Sequence, residues 1–288
     1  MGGVDLTYEN TQRELATDKG VIRYHEAGAE HDDVLLLLHG SGPGVTGWRN
    51  YRGNLAFFAQ THHVYIIEFP GFGVSDPIEG HPVLTAGKSV IRFMDALGIE
   101  KADVIGNSMG GVVGINLAIK FPERITRLVT IGGVGPNLFS SSPSEGLRLL
   151  QEFTDAPDRE KLIRWLNGMV YDPALVTEEL IEQRWSAAID PEALKTAAMM
   201  YGSAAFEMQQ KFMADSDVPP YWAMMHKVKC PTLLTWGRDD RVSPPDMALV
   251  PMRLIPNAEL NIFPKCGHWV MIEAKEAFEG SVAAFLAR

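Results

Sequence analysis

Six short apolar runs, separated by helical patterns, constrain the fold of this chain more than any other feature. They are VLLLLH at 34–39, VYIIEF at 64–69, ADVIGN at 102–107, LVTIGG at 128–133, TLLTWG at 232–237 and ELNIFP at 259–264. Each is continuously apolar, which is typical of parallel strands covered on both faces. Helical periodicity between them, for example around 85–97, 109–121, 246–254 and 273–287, predicts an α/β fold with a mostly parallel sheet and helices on both faces.

Two further segments fall outside this alternation. GVIRYHEAG at 20–28 alternates and predicts a strand in an N-terminal hairpin. Residues 138–228 begin with a turn-rich stretch, continue with helical patterns, and contain seven of the thirteen methionines. We expect most of these methionines to pack helices together, although methionine also suits an adaptable ligand-facing wall. This pattern predicts a helical cap at 138–228, inserted into a core domain of residues 1–137 and 229–288.

Composition limits the partners of this chain. A net charge of −10 argues against nucleic acid and against anionic membranes as binding surfaces. Residues 1–12 show neither the basic nor the apolar part of a signal peptide, and no apolar run is long enough to span a bilayer. Two cysteines, Cys230 and Cys266, suit a reducing compartment. We therefore expect a cytoplasmic protein that acts on a small molecule.

The segment GNSMG at 106–110 matches the G-x-S-x-G pattern of a nucleophile elbow. It follows an apolar strand and precedes an apolar helix, which is the context that this motif requires. A serine on such a sharp turn adopts a strained backbone, and small neighbours are needed to avoid clashes. We therefore predict that Ser108 is a nucleophile and that Gly106 and Gly110 make room for it.

A serine becomes a good nucleophile only beside a base that an acid orients. In this kind of fold the acid and then the histidine follow the serine along the chain. TWGRDDRVSP at 235–244 ends a strand and offers two acids, and KCGHW at 265–269 supplies His268. We predict Asp240 rather than Asp239 as the acid, because the usual G-x-x-D spacing from Gly237 reaches it.

Acyl chemistry also needs hydrogen-bond donors for a developing oxyanion. The backbone N–H of Met109, directly after the nucleophile, is expected to be one donor. The other is expected from the loop HGSGPG at 39–44, where the N–H of Ser41 has the suitable position. Gly42, in the same loop, is expected to face the substrate.

One rival pattern occupies the same loop. GPGVTG at 42–47 follows a strand and matches the dinucleotide pattern G-x-G-x-x-G, and Glu68 ends the next strand. This interpretation is disfavoured because it leaves the elbow, GRDD and CGHW without a role. His62 and His63 are adjacent and should point to opposite faces of a strand, so we predict no shared metal ion and no metal site.

Taken together, these residues resemble the α/β-hydrolase superfamily and, within it, the meta-cleavage-product hydrolases. The matching stretches are LLHGSGPG, GWRNY, PGFGVSD, GNSMGG, MVYDP, EQRW, WGRDDRV and KCGHW. The resemblance implies hydrolysis of a carbon–carbon bond in a 2-hydroxy-6-oxo-hexa-2,4-dienoate from aromatic or steroid degradation. The implied products are 2-hydroxypenta-2,4-dienoate and a carboxylic acid, and the serine mechanism needs no cofactor.

The resemblance also implies roles for four further residues. Arg184 would bind the carboxylate end of the dienoate, and Asn50 would make a polar contact there. Asn107 and Trp269 would hold the dienol oxygen region. Members of this family are often dimers or larger, which implies a homo-oligomer.

Several alternatives stay open. The helical pattern EELIEQRWSAAI by itself places Arg184 on a charged, solvated face, where it would do little. A serine esterase or perhydrolase would use the same triad without needing Arg184, and a non-catalytic ligand receptor could share the scaffold. Glu68 stands where the superfamily usually has Asp, and the stretch FEMQQKFMADSDVPPYW matches the family least. The substituent at C6 of the substrate is therefore left undetermined.

Overall fold

The computed structural model describes residues 6–288, apart from the side chains of residues 213 and 214. The first five residues, part of the segment in which no targeting signal is predicted, lie outside this range. The strands are β1 Gln12–Thr17, β2 Gly20–Ala27, β3 Val34–Leu38, β4 His63–Ile67, β5 Ala102–Asn107, β6 Ile125–Ile131, β7 Thr232–Gly237 and β8 Ala258–Phe263. No helix of the described range has the length and apolarity needed to cross a membrane.

Helices occupy most of the remaining chain. They are α1 Tyr8–Thr11, α2 Gly47–Phe58, α3 Pro82–Ala96, α4 Met109–Lys120, α5 Glu145–Asp155, α6 Arg159–Met169, α7 Glu178–Ala188, α8 Pro191–Tyr201, α9 Ser203–Asp215, α10 Leu249–Leu254, α11 Val270–Glu273 and α12 Lys275–Leu286. Short 3₁₀ turns lie at Pro173–Leu175, Tyr221–Lys227 and Pro245–Ala248.

The eight strands form one sheet in the order β1-β2-β4-β3-β5-β6-β7-β8. The pairs β1–β2 and β2–β4 are antiparallel, and every pair from β4 to β8 is parallel. All six apolar runs are confirmed as strands, within three residues at either end. The carboxyl ends of the parallel strands therefore meet at one edge of the sheet.

Side chains of the central strands alternate between two buried layers. Leu35 and Leu37 of β3 pack into one apolar cluster, while Leu36 and Leu38 pack into the other. This alternation follows from the two-residue period of a strand with helices on both faces. The prediction of full coverage is wrong for β8, whose Ile262 is exposed, because an edge strand pairs on one side only.

Between β6 and β7 the chain forms five α helices, α5 to α9, and no strand. These helices belong to a helical segment that comprises residues 138–228. Part of this segment packs into the apolar core. Phe153, Leu162 and Trp165 are buried in the same cluster as Leu35 and Leu37. The α9 end is different, because Met208 and Phe212 are 69% and 60% exposed.

Candidate active site

Ser108 lies at the sharp turn between β5 and α4, with φ of 52° and ψ of −112°. This region is unusual for a residue with a side chain and costs roughly 1–3 kcal/mol. Two glycines permit it. A Cβ at Gly106 would lie 2.3 Å from the carbonyl oxygen of Gly110, and one at Gly110 would lie 2.2 Å from that of Leu38.

His268 and Asp240 meet at the ends of two neighbouring strands. The His268 Nδ1 lies 2.7 Å from Asp240 Oδ2, and both residues are buried. The other oxygen of Asp240 accepts hydrogen bonds from the amides of Val242 and Ser243, both at 2.8 Å. Asp239 instead pairs with Arg238 near the surface. Of the two acids, Asp240 is therefore the one that faces the histidine.

Ser108 and His268 line one cavity of about 720 Å³. Because Nδ1 of His268 is engaged by Asp240, Nε2 is the nitrogen that remains for a proton from the serine. The Ser108 hydroxyl itself forms no hydrogen bond with any described residue. Such contacts in unliganded sites often shorten only when substrate binds. Ser108 and His268 thus share one cavity, and the Asp240 carboxylate lies behind the imidazole.

Two glycines after β6 press against these side chains, and sequence reasoning missed them. A Cβ at Gly133 would lie 3.0 Å from Ser108 Oγ, and one at Gly132 would lie 3.2 Å from Asp240 Oδ2. Both have positive φ. The signal for them was a glycine pair at the carboxyl end of the strand beside the nucleophile strand.

The two residues expected to supply the oxyanion donors are both found at this cavity. Met109 is the first residue of α4, so its N–H has no partner within the helix, and the helix N-terminus favours negative charge. Ser41 and Met109 both line the cavity. The Ser41 hydroxyl is hydrogen-bonded to the Tyr201 hydroxyl of α8, a contact across 160 residues that the sequence did not signal.

A buried histidine fixes the loop that carries Ser41. The Phe69 N–H donates to His39 Nε2 at 2.9 Å, so Nδ1 carries the proton and donates to the Gly40 carbonyl at 2.7 Å. Burial lowers the pKa of His39 to about 4. The imidazole is therefore neutral at physiological pH and holds the loop through two hydrogen bonds.

Arg184 is only 2% exposed, so the expectation of a solvated face is wrong. The residue lies on α7, and packing against the strand-end loops buries it. Its Nη1 donates to the Pro43 carbonyl at 3.4 Å, and its Cζ lies 5.1 Å from the centre of the Trp269 ring. Within residues 6–288 it forms no ion pair, and its Nε has no hydrogen-bond partner.

The electrostatic surroundings make this arginine more unusual still. Burial, together with the charges of Arg49 and Arg52, lowers the pKa of Arg184 to about 9. A buried cation without a carboxylate is costly, because the lost hydration is not replaced. Arg184 also lines the cavity with Ser108. An anionic ligand in this cavity would supply the missing partner.

Two asparagines form a chain beside the nucleophile. Asn50 Nδ2 donates to Asn107 Oδ1 at 3.0 Å, and Asn107 Nδ2 donates to the Ile131 carbonyl at 3.2 Å. Both line the cavity, and Asn50 Oδ1 is buried without a hydrogen-bond partner among the described residues. The open atom of Asn50 is thus an acceptor, which suits a hydroxyl of a ligand better than a carboxylate.

Two tryptophans complete the wall around these groups. Trp269 is 4% exposed and belongs both to the apolar core and to the cavity wall. Trp165, which sequence reasoning missed, packs on the loop so closely that a Cβ at Gly42 would lie 2.4 Å from its ring. The Trp165 Nε1 is buried and has no hydrogen-bond partner in the part of the chain that the structure describes. Gly42 thus lines the cavity at a position where any side chain would collide with the Trp165 ring.

The dinucleotide pattern has a different role in the structure. Glu68 accepts hydrogen bonds from the amides of Gly47 at 2.6 Å and Trp48 at 2.8 Å. These amides begin α2, where the pattern would place a pyrophosphate. Because a buried carboxylate already occupies that helix end, this turn is closed to phosphate.

Comparison with known proteins supplies the wider context. Residues 33–275 match the alpha/beta hydrolase fold family. A 2-hydroxy-6-oxononadienedioate/2-hydroxy-6-oxononatrienedioate hydrolase of Comamonas testosteroni is 37% identical, over 97% of this chain and 98% of that protein. A 2-hydroxy-6-oxo-6-phenylhexa-2,4-dienoate hydrolase of Burkholderia cepacia is equally similar, at 37% identity and the same coverage. Among solved structures, a meta-cleavage product hydrolase from Pseudomonas fluorescens IP01 matches with a TM-score of 0.84 and 29% identity, over 97% of this chain and 98% of that one.

Proposed function

This chain belongs to the α/β-hydrolase fold family and, within it, to the meta-cleavage product hydrolases, and from that premise we propose that it cleaves a carbon–carbon bond in a 2-hydroxy-6-oxo-hexa-2,4-dienoate. The products are 2-hydroxypenta-2,4-dienoate and a carboxylic acid. One observation carries the proposal for this chain's own site. The unpaired, buried guanidinium of Arg184 shares a cavity with Ser108 and His268, and a simple ester hydrolase has no need of it.

Substrate binding uses the groups that the protein leaves open. The planar fork of Arg184 binds the C1 carboxylate, and the Trp269 ring supports the guanidinium. Asn50 Oδ1 accepts a hydrogen bond from the 2-hydroxyl group, and Asn107 holds Asn50 in place. Gly42 leaves room for this end of the substrate beside Trp165.

The bond between C5 and C6 breaks only if C5 can leave with an electron pair. Transfer of the proton from the 2-hydroxyl group to C5 first converts the dienol into a 2-oxo form. Electrons released from the C5–C6 bond then pass through the adjacent double bond to the 2-oxo oxygen. Until the proton moves, Asn50 Oδ1 holds the 2-hydroxyl group by accepting its hydrogen bond, and Asn107 and Trp269 line the cavity around that oxygen.

Ser108 attacks the C6 carbonyl while His268 takes its proton, and Asp240 stabilises the resulting imidazolium. The amides of Met109 and Ser41 stabilise the tetrahedral oxyanion, and each such donor is worth roughly 10²–10³ in turnover. Collapse of the adduct breaks the C5–C6 bond, and His268 returns the proton to the departing dienolate. Water, activated by the same histidine, then hydrolyses the acyl group from Ser108.

The helical segment, residues 138–228, acts in this scheme as a cap over a core domain of residues 1–137 and 229–288. Support comes from its contribution of Trp165, Arg184 and Tyr201 to the cavity wall. The chemistry uses a free small molecule and no metal or organic cofactor. The family resemblance and the net charge of −10 support action in the cytoplasm, away from nucleic acid and membranes, by a self-associated enzyme.

The test is a colour assay with yellow dienoates that carry methyl, phenyl or carboxyethyl groups at C6. At least one should lose its colour with release of 2-hydroxypenta-2,4-dienoate, and Ser108→Ala, as the control, should leave all of them coloured. Rapid hydrolysis of simple aryl esters with every dienoate untouched would overturn the proposal in favour of an esterase. Tight dienoate binding without turnover of either substrate class would indicate a receptor instead.

A further inference from the structure

The cavity also discriminates between two classes of C6 substituent. We infer that the substrate carries an apolar aryl or alkyl group at C6 and a single carboxylate, at C1. This inference rests on the proposed function and deepens it. The comparisons leave the matter open, because a relative named for a dicarboxylate and one named for a 6-phenyl substrate are each 37% identical to this chain.

The positive charges of the cavity wall provide the first argument. Among the described residues that line it, Arg184 is the one arginine, and there is no lysine. His268 is committed to Asp240, and His81 is exposed at the start of α3, where water competes for it. Once Arg184 binds the C1 carboxylate, a second carboxylate within the cavity has no fixed cation to pair with.

The rest of the wall provides the second argument. Most of its larger side chains are apolar, and they include Leu147, Leu150, Met199, Met200, Phe206 and Phe212. Apart from Ser41, Asn50, Asn107 and Ser108, to which the proposed reaction gives roles, three neutral polar side chains of the described residues line it. The Tyr201 hydroxyl is already bonded to Ser41, and Gln209 and Ser243 offer hydrogen bonds but no charge. Methionine and phenylalanine suit apolar ligands of varied shape, and about 720 Å³ accommodates a ring beyond the dienoate.

Two effects therefore disfavour a substrate with a charged C6 group. Within the cavity it loses hydration without gaining a partner, which raises the free energy of its bound state. Outside the cavity, the net charge of −10 disfavours the approach of a dianion relative to a monoanion. We expect a preference of at least about 100-fold in kcat/KM for an apolar C6 group.

The experiment compares 2-hydroxy-6-oxo-6-phenylhexa-2,4-dienoate with 2-hydroxy-6-oxononadienedioate, using the full chain under one set of conditions. The phenyl substrate should have the higher kcat/KM by at least about 100-fold. Gln209→Arg adds a cation to the wall and should raise the ratio of kcat/KM for the dicarboxylate to that for the phenyl substrate by about 10-fold. Met252→Arg adds the same charge on exposed α10, outside the cavity wall, and should leave the ratio unchanged.

Two results would overturn the inference while leaving the proposed function intact. One is turnover of the dicarboxylate within about 3-fold of the phenyl substrate. The other is an equal change of the ratio in Gln209→Arg and Met252→Arg, because overall charge rather than the cavity wall would then set the preference. Failure to cleave any dienoate would instead remove the proposed function itself.

Discussion

The strand-end loops and the helical segment differ in how their buried polar atoms are partnered. In the loops, the Asp240 carboxylate accepts three hydrogen bonds, from His268, Val242 and Ser243. In the helical segment, Arg184 Nε and Trp165 Nε1 are buried with no partner in the described part of the chain. The loops thus satisfy the Asp240 carboxylate, whereas the helical segment leaves these two buried donors available to a ligand.

This contrast has an energetic meaning: the strand-end loops carry the groups proposed to react, and the helical segment carries groups proposed to bind the substrate. A buried polar group without a hydrogen bond costs roughly 1–3 kcal/mol, and more if it is charged. The helical side carries that cost in the free protein and recovers it when an anion binds. The strand side has its donors and acceptors arranged before substrate arrives, which is what transition-state stabilisation requires.

The largest effect is expected from removing the carboxylate of Asp240 in the strand-end loops. Asp240→Asn should lower kcat by about 10⁴-fold for dienoates and for esters alike, because the imidazole loses the carboxylate that sets its tautomer and stabilises its charged form. Steady-state kinetics with both substrate types measure this. Asp239→Asn is the matched control, since that carboxylate pairs with Arg238 instead, and it should change kcat by less than about 3-fold. Equal losses in the two variants would contradict the assignment of Asp240.

The second largest effect is expected from removing the charge of Arg184 in the helical segment. Arg184→Met should lower kcat/KM for dienoates by about 10²–10³-fold, because the substrate carboxylate loses its partner, while turnover of aryl esters stays within about 5-fold. The melting temperature should stay level or rise, since an uncompensated buried charge is removed. Activity assays and thermal unfolding of the same preparation test both statements.

The control for this variant is Arg164→Met on α6, where an exposed arginine pairs with Glu152 at 3.2 Å. That change should leave both activity and stability nearly unaltered. A large drop in melting temperature for Arg184→Met, with equal losses on both substrate types, would show that the arginine only supports the helices.

The smallest effect concerns the pH dependence of folding stability that comes from His39, in the loop after β3. Burial lowers the pKa of His39 to about 4 in the folded protein, against about 6.5 for a free histidine, so between these values the unfolded chain binds more protons. The contribution of neutral His39 is therefore complete above pH 6.5 and is lost as the pH falls towards 4. The stability gap between wild type and His39→Gln should shrink by about 2 kcal/mol from pH 7 to pH 5.

Urea unfolding at several pH values measures this gap, and His226→Gln, at an exposed histidine, controls for the loss of a histidine as such. A gap that stays constant across the range would mean that His39 is not held neutral by burial. Comparing the variant with wild type is necessary because other buried groups titrate in the same window. Burial raises the pKa of Glu68 to about 7, which shifts wild-type stability in the opposite direction.

The fold and the site residues at the strand ends were largely predictable from the sequence. The contacts that the helical segment makes with the cavity were not. Ser108, Asp240 and His268 follow short apolar runs, and parallel strands bring such positions to one edge. The burial of Arg184 was hidden, because α7 carries charged residues around much of its surface and tertiary packing decides which of them is covered. The contact between Ser41 and Tyr201 joins residues far apart in sequence, for which no local pattern exists.

The backbone of Ser108 has one last consequence, for how such chains change over evolutionary time. Glycine at this position would accept a φ of 52° without strain, so the reactive residue is one at which losing function makes folding easier. Drift towards greater stability would remove the hydroxyl early, while the sheet and the cavity persisted. Inert descendants that still bind small anions are the outcome we expect wherever selection for turnover is relaxed.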